Sequence, residues 1–305
     1  MTPRTCDRYG TCVTSGASYD PPGFDPPAFD PDDPPMPPSR RIDPSKPNLA
    51  RVYDGFLGGK DNYAADRAIV REIHAATPEL TRVVQEERAW LGRVTRFLVK
   101  SAHIEQILHV GAGMPTIDNT HEAAQRFNSD TRVIYVADDP VVQAHGRAIL
   151  AENDLTHLAD ADYSRPDELF GHETVKKFLD PDEPVALIHS RTMHHVAGSE
   201  RAHEIVQRYL ELLPSGSYLV LTHFCDPEDD GQGTQLARLV EGIFSRSGLG
   251  PVAFRPREEI AAFFDGLELV EPGVSRLRDW WPDGPLMASA TVEDEMILGG
   301  VACKP

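Results

Sequence analysis

After residue 105 the chain alternates short apolar segments with amphipathic ones, and this order constrains the fold more than any other feature. The apolar segments have the length of buried strands, and those between them have the 3.6-residue spacing of helices. We predict strands at Gln106–Val110, Arg132–Val136, Leu155–Ala159, Val185–His189, Ser217–Thr222, Leu267–Val270 and Met296–Cys303. This order predicts an α/β fold with a mostly parallel, seven-stranded sheet covered by helices on both faces.

Helices are predicted between most of these strands. Their predicted ranges are Thr120–Phe127, Val141–Glu152, Glu173–Phe178, Ala202–Leu212, Thr234–Arg246 and Arg257–Phe264. A long stretch without helical spacing, "EPGVSRLRDWWPDGPLMASATVEDE", separates the last two strands. We therefore expect those two strands to pair as an antiparallel edge.

The chain before residue 105 divides into two zones. Residues 1–40 are rich in Pro and Asp, which excludes a helix or a central strand and predicts a solvated, polyproline-like arm. Docking of this arm on the body or on a second subunit stays open, and with it a homodimer. Residues 41–104 predict a helical cap with a short first helix and two longer ones, Tyr63–Ala76 and Thr81–Ser101. Residues 105–305 then form the main domain.

Bulk properties exclude several classes of partner. The formal net charge of −18 disfavours nucleic acid and anionic membranes. No apolar run approaches the roughly 20 residues of a membrane span, and the first residues lack the apolar core of a secretion signal. The four cysteines include no CxxC pair, so we expect no metal site and reduced thiols in the cytoplasm.

The segment "QILHVGAGMPTIDNT" predicts a strand, a glycine turn and a helix start. Gly111 and Gly113 would let a ligand approach the backbone of the turn, and Ala112 lies between them. A dinucleotide site needs a third glycine, but Thr116 stands at that position, directly after Met114-Pro115. The spacing therefore favours a cofactor without a pyrophosphate, such as S-adenosylmethionine (SAM).

Acidic residues follow the next two strands, where a cofactor ribose and adenine would lie. The ribose position at the end of the second strand is Ala137, and Asp138 and Asp139 come directly after it. Asp162 follows the third strand and could bond an adenine amino group. Asp139 precedes Pro140 and could instead cap the next helix.

Six blocks of the sequence carry a family resemblance. They are "RIDPSKPNLARVYDGFLGGKDNYAADR", "GAGMPTIDNTHEAAQR", "VIYVADDPVVQAHGRAIL", "LPSGSYLVLTHFCDP", "FFDGLELVEPG" and "GGVACKP". From about residue 41 to residue 305 the chain resembles the actinobacterial SAM-dependent methyltransferase family formerly classed as a domain of unknown function. The resemblance implies a Rossmann-like class I methyltransferase fold with an N-terminal helical cap, and it implies no substrate.

Two departures from the family pattern fall in the expected cofactor site. The family has acids where this chain has His109 and Ala137, and those acids contact the amino end and the ribose of the cofactor. Asp138 or Asp139 would then take over the ribose. His109 could bond the methionine carboxylate or a water, but it could not neutralise an ammonium group.

The resemblance also places the segment "YDGFLGGKDNY" over the cofactor pocket. We expect Tyr53 or Tyr63 to pack near the sulfonium, because a cation is attracted to an aromatic face. Arg51 or Arg88 could hold the methionine carboxylate through two donors. Arg88 could equally be a solvated helix residue. The remaining residues predicted to line the cofactor site are Tyr163 and Ser190.

Candidate proton acceptors follow the fourth and fifth strands. His194 lies in "HSRTMHHVAGSE" and matches a histidine common in the family, and His223 ends the fifth strand. Either could remove a proton from an oxygen or nitrogen nucleophile, although such histidines more often bond the backbone. Ser190 and Arg191 are polar where the family tends to be apolar.

We therefore expect a SAM-dependent methyltransferase that acts on a small molecule in specialised metabolism. The alternative is a divergent member that binds SAM or a related ligand but catalyses cyclisation or another cleavage, or no reaction. His109, Ala137 and Arg191 motivate that alternative.

Overall fold

A computed structural model of the chain describes residues 42–115, 119–150, 154–229 and 231–305. Residues 42–305 form one compact unit. The predicted Pro/Asp-rich arm, residues 1–40, and Thr116 lie outside the described residues. None of the helices in these ranges combines the length and the apolar character that a membrane crossing needs.

The seven predicted strands are present, and two unpredicted strands of two residues each, Arg255–Pro256 and Ser275–Arg276, join the sheet. They are β1 Gln106–Val110, β2 Arg132–Val136, β3 Thr156–Ala159, β4 Val185–His189, β5 Tyr218–Asp226, β6 Arg255–Pro256, β7 Glu268–Leu269, β8 Ser275–Arg276 and β9 Ile297–Cys303. The order along the sheet is β3-β2-β1-β4-β5-β9-β7, with β6 beside β5 and β8 beside β9. The first five strands pair in parallel, and β9 runs antiparallel to both β5 and β7. The mostly parallel class I sheet and the antiparallel pairing of its last two main strands are thus confirmed.

The helices also follow the prediction, with one addition. They are α1 Leu49–Phe56, α2 Ala64–Ala76, α3 Pro78–Lys100, α4 Thr120–Gln125, α5 Pro140–Leu150, α6 Pro166–Gly171, α7 Glu173–Phe178, α8 Ser199–Leu212, α9 Gln232–Ser247 and α10 Arg257–Ala262. Helix α6 was not predicted from the sequence. It begins with Pro166 in its first turn, where proline's missing donor costs nothing, and only Pro166 and Leu169 are buried. Pro166 and Gly171, residue types that favour turns, stand at the two ends of this six-residue segment and favour a loop in its place.

The three N-terminal helices share one hydrophobic core with a face of the sheet. The apolar stripe of α3 buries Val83, Val84, Trp90, Leu91 and Val94, and the same core includes strand residues of β1, β4 and β5. The α1–α3 region therefore lies directly against the strands whose ends form the site described below.

A glycine in β9 allows the closest approach of α3 to the sheet. A Cβ atom at Gly299 would lie 2.8 Å from Cζ2 of Trp90 and 2.7 Å from Cδ2 of Leu277. Both neighbours are buried and have no room to withdraw, because protein interiors are close-packed. Glycine is therefore required here by the indole of Trp90.

We predict that Gly299→Ala lowers the free energy of unfolding by about 1–3 kcal/mol through overpacking against Trp90. The matched control is Gly92→Ala in α3, where a Cβ would meet nothing within 4 Å. That substitution should raise stability by about 0.5–1 kcal/mol, because alanine favours a helix over glycine. Urea unfolding of the three proteins measures both effects, and equal shifts for the two variants would contradict the packing argument.

Candidate functional site

Two adjoining clefts open at the carboxyl ends of the central strands β2, β1 and β4, which are neighbours in that order. Residues particular to the first, the strand-end cleft, include Gly111, Ala137, Asp138, Asp139, Tyr163 and Thr192. Residues particular to the second, the helix-side cleft, include Arg88, His109, Met114, His121 and Tyr135. Both are lined by Ala50, Tyr53, Ala112, Gly113, Val142 and Arg191.

The glycine turn after β1 forms the floor shared by the two clefts. Gly111 has φ of +68°, and a Cβ atom there would lie 2.1 Å from Cγ2 of Thr192. Glycine is thus required both by the backbone conformation and by the close approach of the loop after β4. The N–H of Ala112 donates to the carbonyl of Val136, which ties this turn to the end of β2.

The two acids after β2 have different roles in the structure. Oδ1 of Asp139 accepts hydrogen bonds from the N–H groups of Val141 and Val142 at 2.8 and 3.2 Å, so it caps α5. Its Oδ2 accepts from the side-chain amide of Asn48, just before α1. Asp138 lines the strand-end cleft, as Asp139 does, but it does not cap the helix. Desolvation by the cleft wall, together with the nearby carboxylates of Asp162, Asp139 and Asp160, raises the pKa of Asp138.

The end of β3 contributes a tyrosine to the strand-end cleft. Tyr163 lines it, and burial, with the negative charges of Asp138 and Asp162, raises the pKa of this phenol to about 12. Asp162 accepts a hydrogen bond from the N–H of Ser164 and pairs with Arg165 at 3.6 Å. Tyr163 rather than Asp162 is therefore the residue of this loop that lines a cleft.

His109 lies in the wall of the helix-side cleft and is buried. Its Nδ1 is 3.0 Å from the hydroxyl of Thr120. Burial, reinforced by the positive charges of Arg88 and Arg191, lowers the pKa of His109 to about 3. The ring is therefore neutral at physiological pH and supplies neither a positive nor a negative charge. Arg88 lines the same cleft and donates to Oδ1 of Asn119 at 3.2 Å.

Of the two cap tyrosines, the structure places only Tyr53 in the clefts. Tyr53 is buried and lines both of them. Tyr63 lies at the start of α2, has an exposed side chain and carries the guanidinium of Arg51 over its ring at 4.8 Å. Arg51 itself is buried and pairs with Asp66 at 2.7 Å. The expectation that Tyr63 or Arg51 reaches the cofactor is not supported, because each is held at the α1–α2 junction.

His194 reaches the clefts only through Tyr53. Nε2 of His194 is 3.0 Å from the hydroxyl of Tyr53, and Nε2 of His195 is 3.3 Å from the same oxygen. Nδ1 of His195 donates to the carbonyl of Pro251 at 3.1 Å, so its Nε2 is the acceptor of the hydroxyl proton. Burial is the main cause that lowers the pKa of His195 to about 4 and that of His194 well below the ordinary value. Both rings are therefore neutral, and the hydrogen bonds run His194 to Tyr53 to His195.

Both ring nitrogens of His223 are bonded to protein groups outside the clefts. Nη1 of Arg255 donates to its Nε2 at 2.5 Å, and its Nδ1 donates to the carbonyl of Phe224 at 2.7 Å. Arg255 also donates to the carbonyls of Met193 and Val196, so it holds the loop after β4. His223 is fully buried and lines neither cleft. His223 is therefore not positioned to take a proton from a ligand in either cleft.

A buried carboxylate that the sequence analysis missed holds the loop after β4. Oε1 of Glu87 accepts hydrogen bonds from the hydroxyls of Ser190, at 3.0 Å, and of Thr222. Its Oε2 is 3.5 Å from Nη1 of Arg191. Ser190 is thus bonded to Glu87 and lines neither cleft, whereas Arg191 lines both. The sequence contained a signal, since Glu87 falls on the apolar stripe of α3, between Val84 and Trp90.

Within the ranges that the structure describes, no group of three or more His, Cys, Asp or Glu side chains has the geometry of a metal site. The polar side chains that line the clefts include the carboxylate of Asp138, the arginines Arg88 and Arg191, three tyrosines and two histidines.

Comparisons with known proteins agree with this architecture. A DUF574 family protein from Streptomyces avermitilis is 35% identical, with a TM-score of 0.81 over 87% of this chain and 100% of that one. A candidate methyltransferase from Thermobifida fusca is 37% identical, with a TM-score of 0.79 over 88% of this chain and 98% of that one. Among curated proteins, no sequence shows significant similarity to the chain.

The family comparison covers all of the chain that the structure describes. The sequence model of a family described as S-adenosyl methyltransferase matches residues 35–305. This match agrees with the glycine turn, the strand order and the antiparallel β9. The chain therefore belongs to the S-adenosyl methyltransferase family, whose members are SAM-dependent methyltransferases.

Proposed function

We propose that the protein methylates a small molecule of specialised metabolism, held in the clefts at the carboxyl ends of β1, β2 and β4. The observation that carries this proposal is that the glycine turn, Asp138 and the cap residue Tyr53 surround one connected pair of clefts. Helix α1 covers these clefts through Ala50 and Tyr53, which suits a small ligand better than a polymer. The net charge of −18 also disfavours nucleic acid.

The residues in the clefts fit SAM at three points. The Gly111–Gly113 turn admits a ligand close to its backbone, because no side chain of the turn projects above it except the methyl of Ala112. Asp138 is the carboxylate free to accept the two ribose hydroxyls, since Asp139 is used as a helix cap. Arg88 is placed to donate to the methionine carboxylate. A fourth point, an acid at position 109, is missing.

SAM supplies a methyl group on a positively charged sulfur, which a nucleophile attacks in line, leaving S-adenosylhomocysteine (SAH). The protein's part is to align the nucleophile, exclude water and accept a proton where the nucleophile carries one. Tyr53 is positioned for the last task, because its hydroxyl is bonded to both His194 and His195. A proton taken up by this oxygen can be passed to His195 as the hydroxyl gives up its own.

A second candidate function is binding of SAM without methyl transfer, or with another reaction of it. The neutral ring of His109 and the cation of Arg191 favour this candidate, because both weaken attraction for the positively charged end of SAM. Product analysis separates the two functions. Methyl transfer leaves SAH, whereas cyclisation or another cleavage leaves a different sulfur compound or none.

Isothermal titration calorimetry with SAM and SAH tests the cofactor assignment. We expect a one-to-one complex and a raised melting temperature, as binding to the folded state requires. Incubation with SAM and a library of small acceptors should then release SAH. No heat and no thermal stabilisation with either ligand at millimolar concentration would refute the proposal.

The two acids after β2 give a matched pair of variants. We predict that Asp138→Asn weakens SAM and SAH binding about tenfold or more, because charge-assisted bonds to the ribose are lost. Asp139→Asn should change affinity little but lower stability by about 1 kcal/mol through the weakened cap of α5. Calorimetry and thermal unfolding distinguish the two outcomes. The reverse pattern would assign the ribose to Asp139.

Variants of His109 test whether the missing acid at this position limits the affinity for SAM. We predict that His109→Asp tightens SAM binding about tenfold, because a carboxylate there can bond the cofactor's ammonium. His109→Asn is the neutral control and should leave affinity near that of the parent protein. Between pH 5 and 8 the parent's affinity should not titrate with His109, whose pKa near 3 keeps it neutral throughout. Equal affinities for the Asp and Asn variants would place the ammonium elsewhere.

A further inference from the structure

The guanidinium of Arg191 is nine-tenths buried yet makes no side-chain hydrogen bond to any described residue. Its side chain is 10% exposed, and the backbone N–H of this residue donates to the hydroxyl of Thr222 at 3.1 Å. Arg191 has φ of +58°, a conformation that costs a non-glycine residue free energy and recurs at functional sites. A buried guanidinium without hydrogen bonds is itself costly, so the arrangement calls for a partner.

Glu87 offsets the charge of Arg191 from behind but does not satisfy its donors. The closest approach is 3.5 Å between Nη1 and Oε2, and that oxygen has no hydrogen-bond partner among the described residues. The other carboxylate oxygen is used by Ser190 and Thr222. Arg191 therefore has donors left for a ligand, and a carboxylate matches them in shape and charge.

The free side of Arg191 faces the clefts. Nη2 lies 3.9 Å from the position that a Cβ of Gly113 would take, and the guanidinium lies 4.9 Å from the centre of the Tyr53 ring. In this fold a ligand lies outside the carboxyl ends of the strands, against the glycine turn. A cofactor sulfonium placed there meets a like charge, because Arg191 lines both clefts.

We propose that Arg191 is the specificity-determining residue for the acceptor, and that the acceptor is an apolar carboxylic acid whose carboxylate binds this guanidinium. This inference rests on the proposed function and names its substrate class. The acceptor's negative charge neutralises Arg191 beside the sulfonium. Binding of the acid therefore raises the affinity for SAM, and binding of SAM raises the affinity for the acid. An apolar body is expected because the side chains that line both clefts together with Arg191 are mostly apolar or aromatic, namely Ala50, Tyr53, Ala112 and Val142.

The first test compares SAM, which carries a sulfonium, with SAH, which has a neutral thioether at the same place. We expect Arg191→Met to raise the affinity ratio of SAM over SAH about tenfold, because a like charge is removed. Arg191→Lys keeps the charge and should leave the ratio unchanged. Glu87→Gln removes the offsetting carboxylate and should lower the ratio. Calorimetry gives all four pairs of dissociation constants, and melting temperatures check that each variant is folded.

The second test uses acid and amide probes on the SAH complex. Benzoate, salicylate and indole-3-carboxylate should each bind more tightly than the corresponding uncharged amide. In Arg191→Met this preference should fall about tenfold, and Arg191→Lys should retain most of it. Each acid should also bind more tightly to the SAM complex than to the SAH complex.

The outcomes separate this inference from the proposed function. If SAM and SAH both bind but their ratio is the same in Arg191→Met and the parent, the inference is overturned and the cofactor assignment stands. The same follows if no acid binds better than its amide. If neither SAM nor SAH binds the parent protein, the proposed function fails first and the inference fails with it.

Discussion

The buried carboxylate of Glu87 is the interaction on which the geometry of the site depends. It lies on the apolar stripe of α3 and is 1% exposed. A carboxylate at this depth is tolerated only when its oxygens are bonded or paired, because the cost of burying an isolated charge is large. The hydroxyls of Ser190 and Thr222 and the guanidinium of Arg191 meet this requirement. Helix α3 is thereby fixed against the ends of β4 and β5, and Arg191 is aimed at the clefts.

This arrangement sets the charges around the clefts. At the end of β1, burial keeps His109 neutral. The carboxylate of Glu87 on α3 lies behind Arg191 and lines neither cleft. The clefts therefore present the cations of Arg88 and Arg191 and the carboxylate of Asp138. This distribution of charge underlies the proposal of an acidic acceptor beside SAM.

The buried histidines contribute hydrogen bonds rather than charge. Burial holds His194, His195 and His223 neutral, and the bonding partners of His195 and His223 fix their tautomers. A histidine with so low a pKa is a weak base on its own. Any proton transfer to His194 or His195 from the clefts passes through Tyr53, whose hydroxyl they share. The cap helix α1, which carries Tyr53, thus both covers the clefts and links them to these histidines.

The sequence by itself determined the sheet, its antiparallel β9 and the glycine turn, because strand and helix periodicity and backbone freedom at Gly111 are local properties. The six blocks of family resemblance identified SAM as the expected cofactor. Only the tertiary structure decided that Asp138 is free while Asp139 caps a helix, and that Tyr53 rather than Tyr63 lines the clefts. It alone paired Glu87 with Ser190 and Thr222, which are 103 and 135 residues away along the chain. Such choices depend on the direction of side chains and on contacts between distant segments, which no local pattern contains.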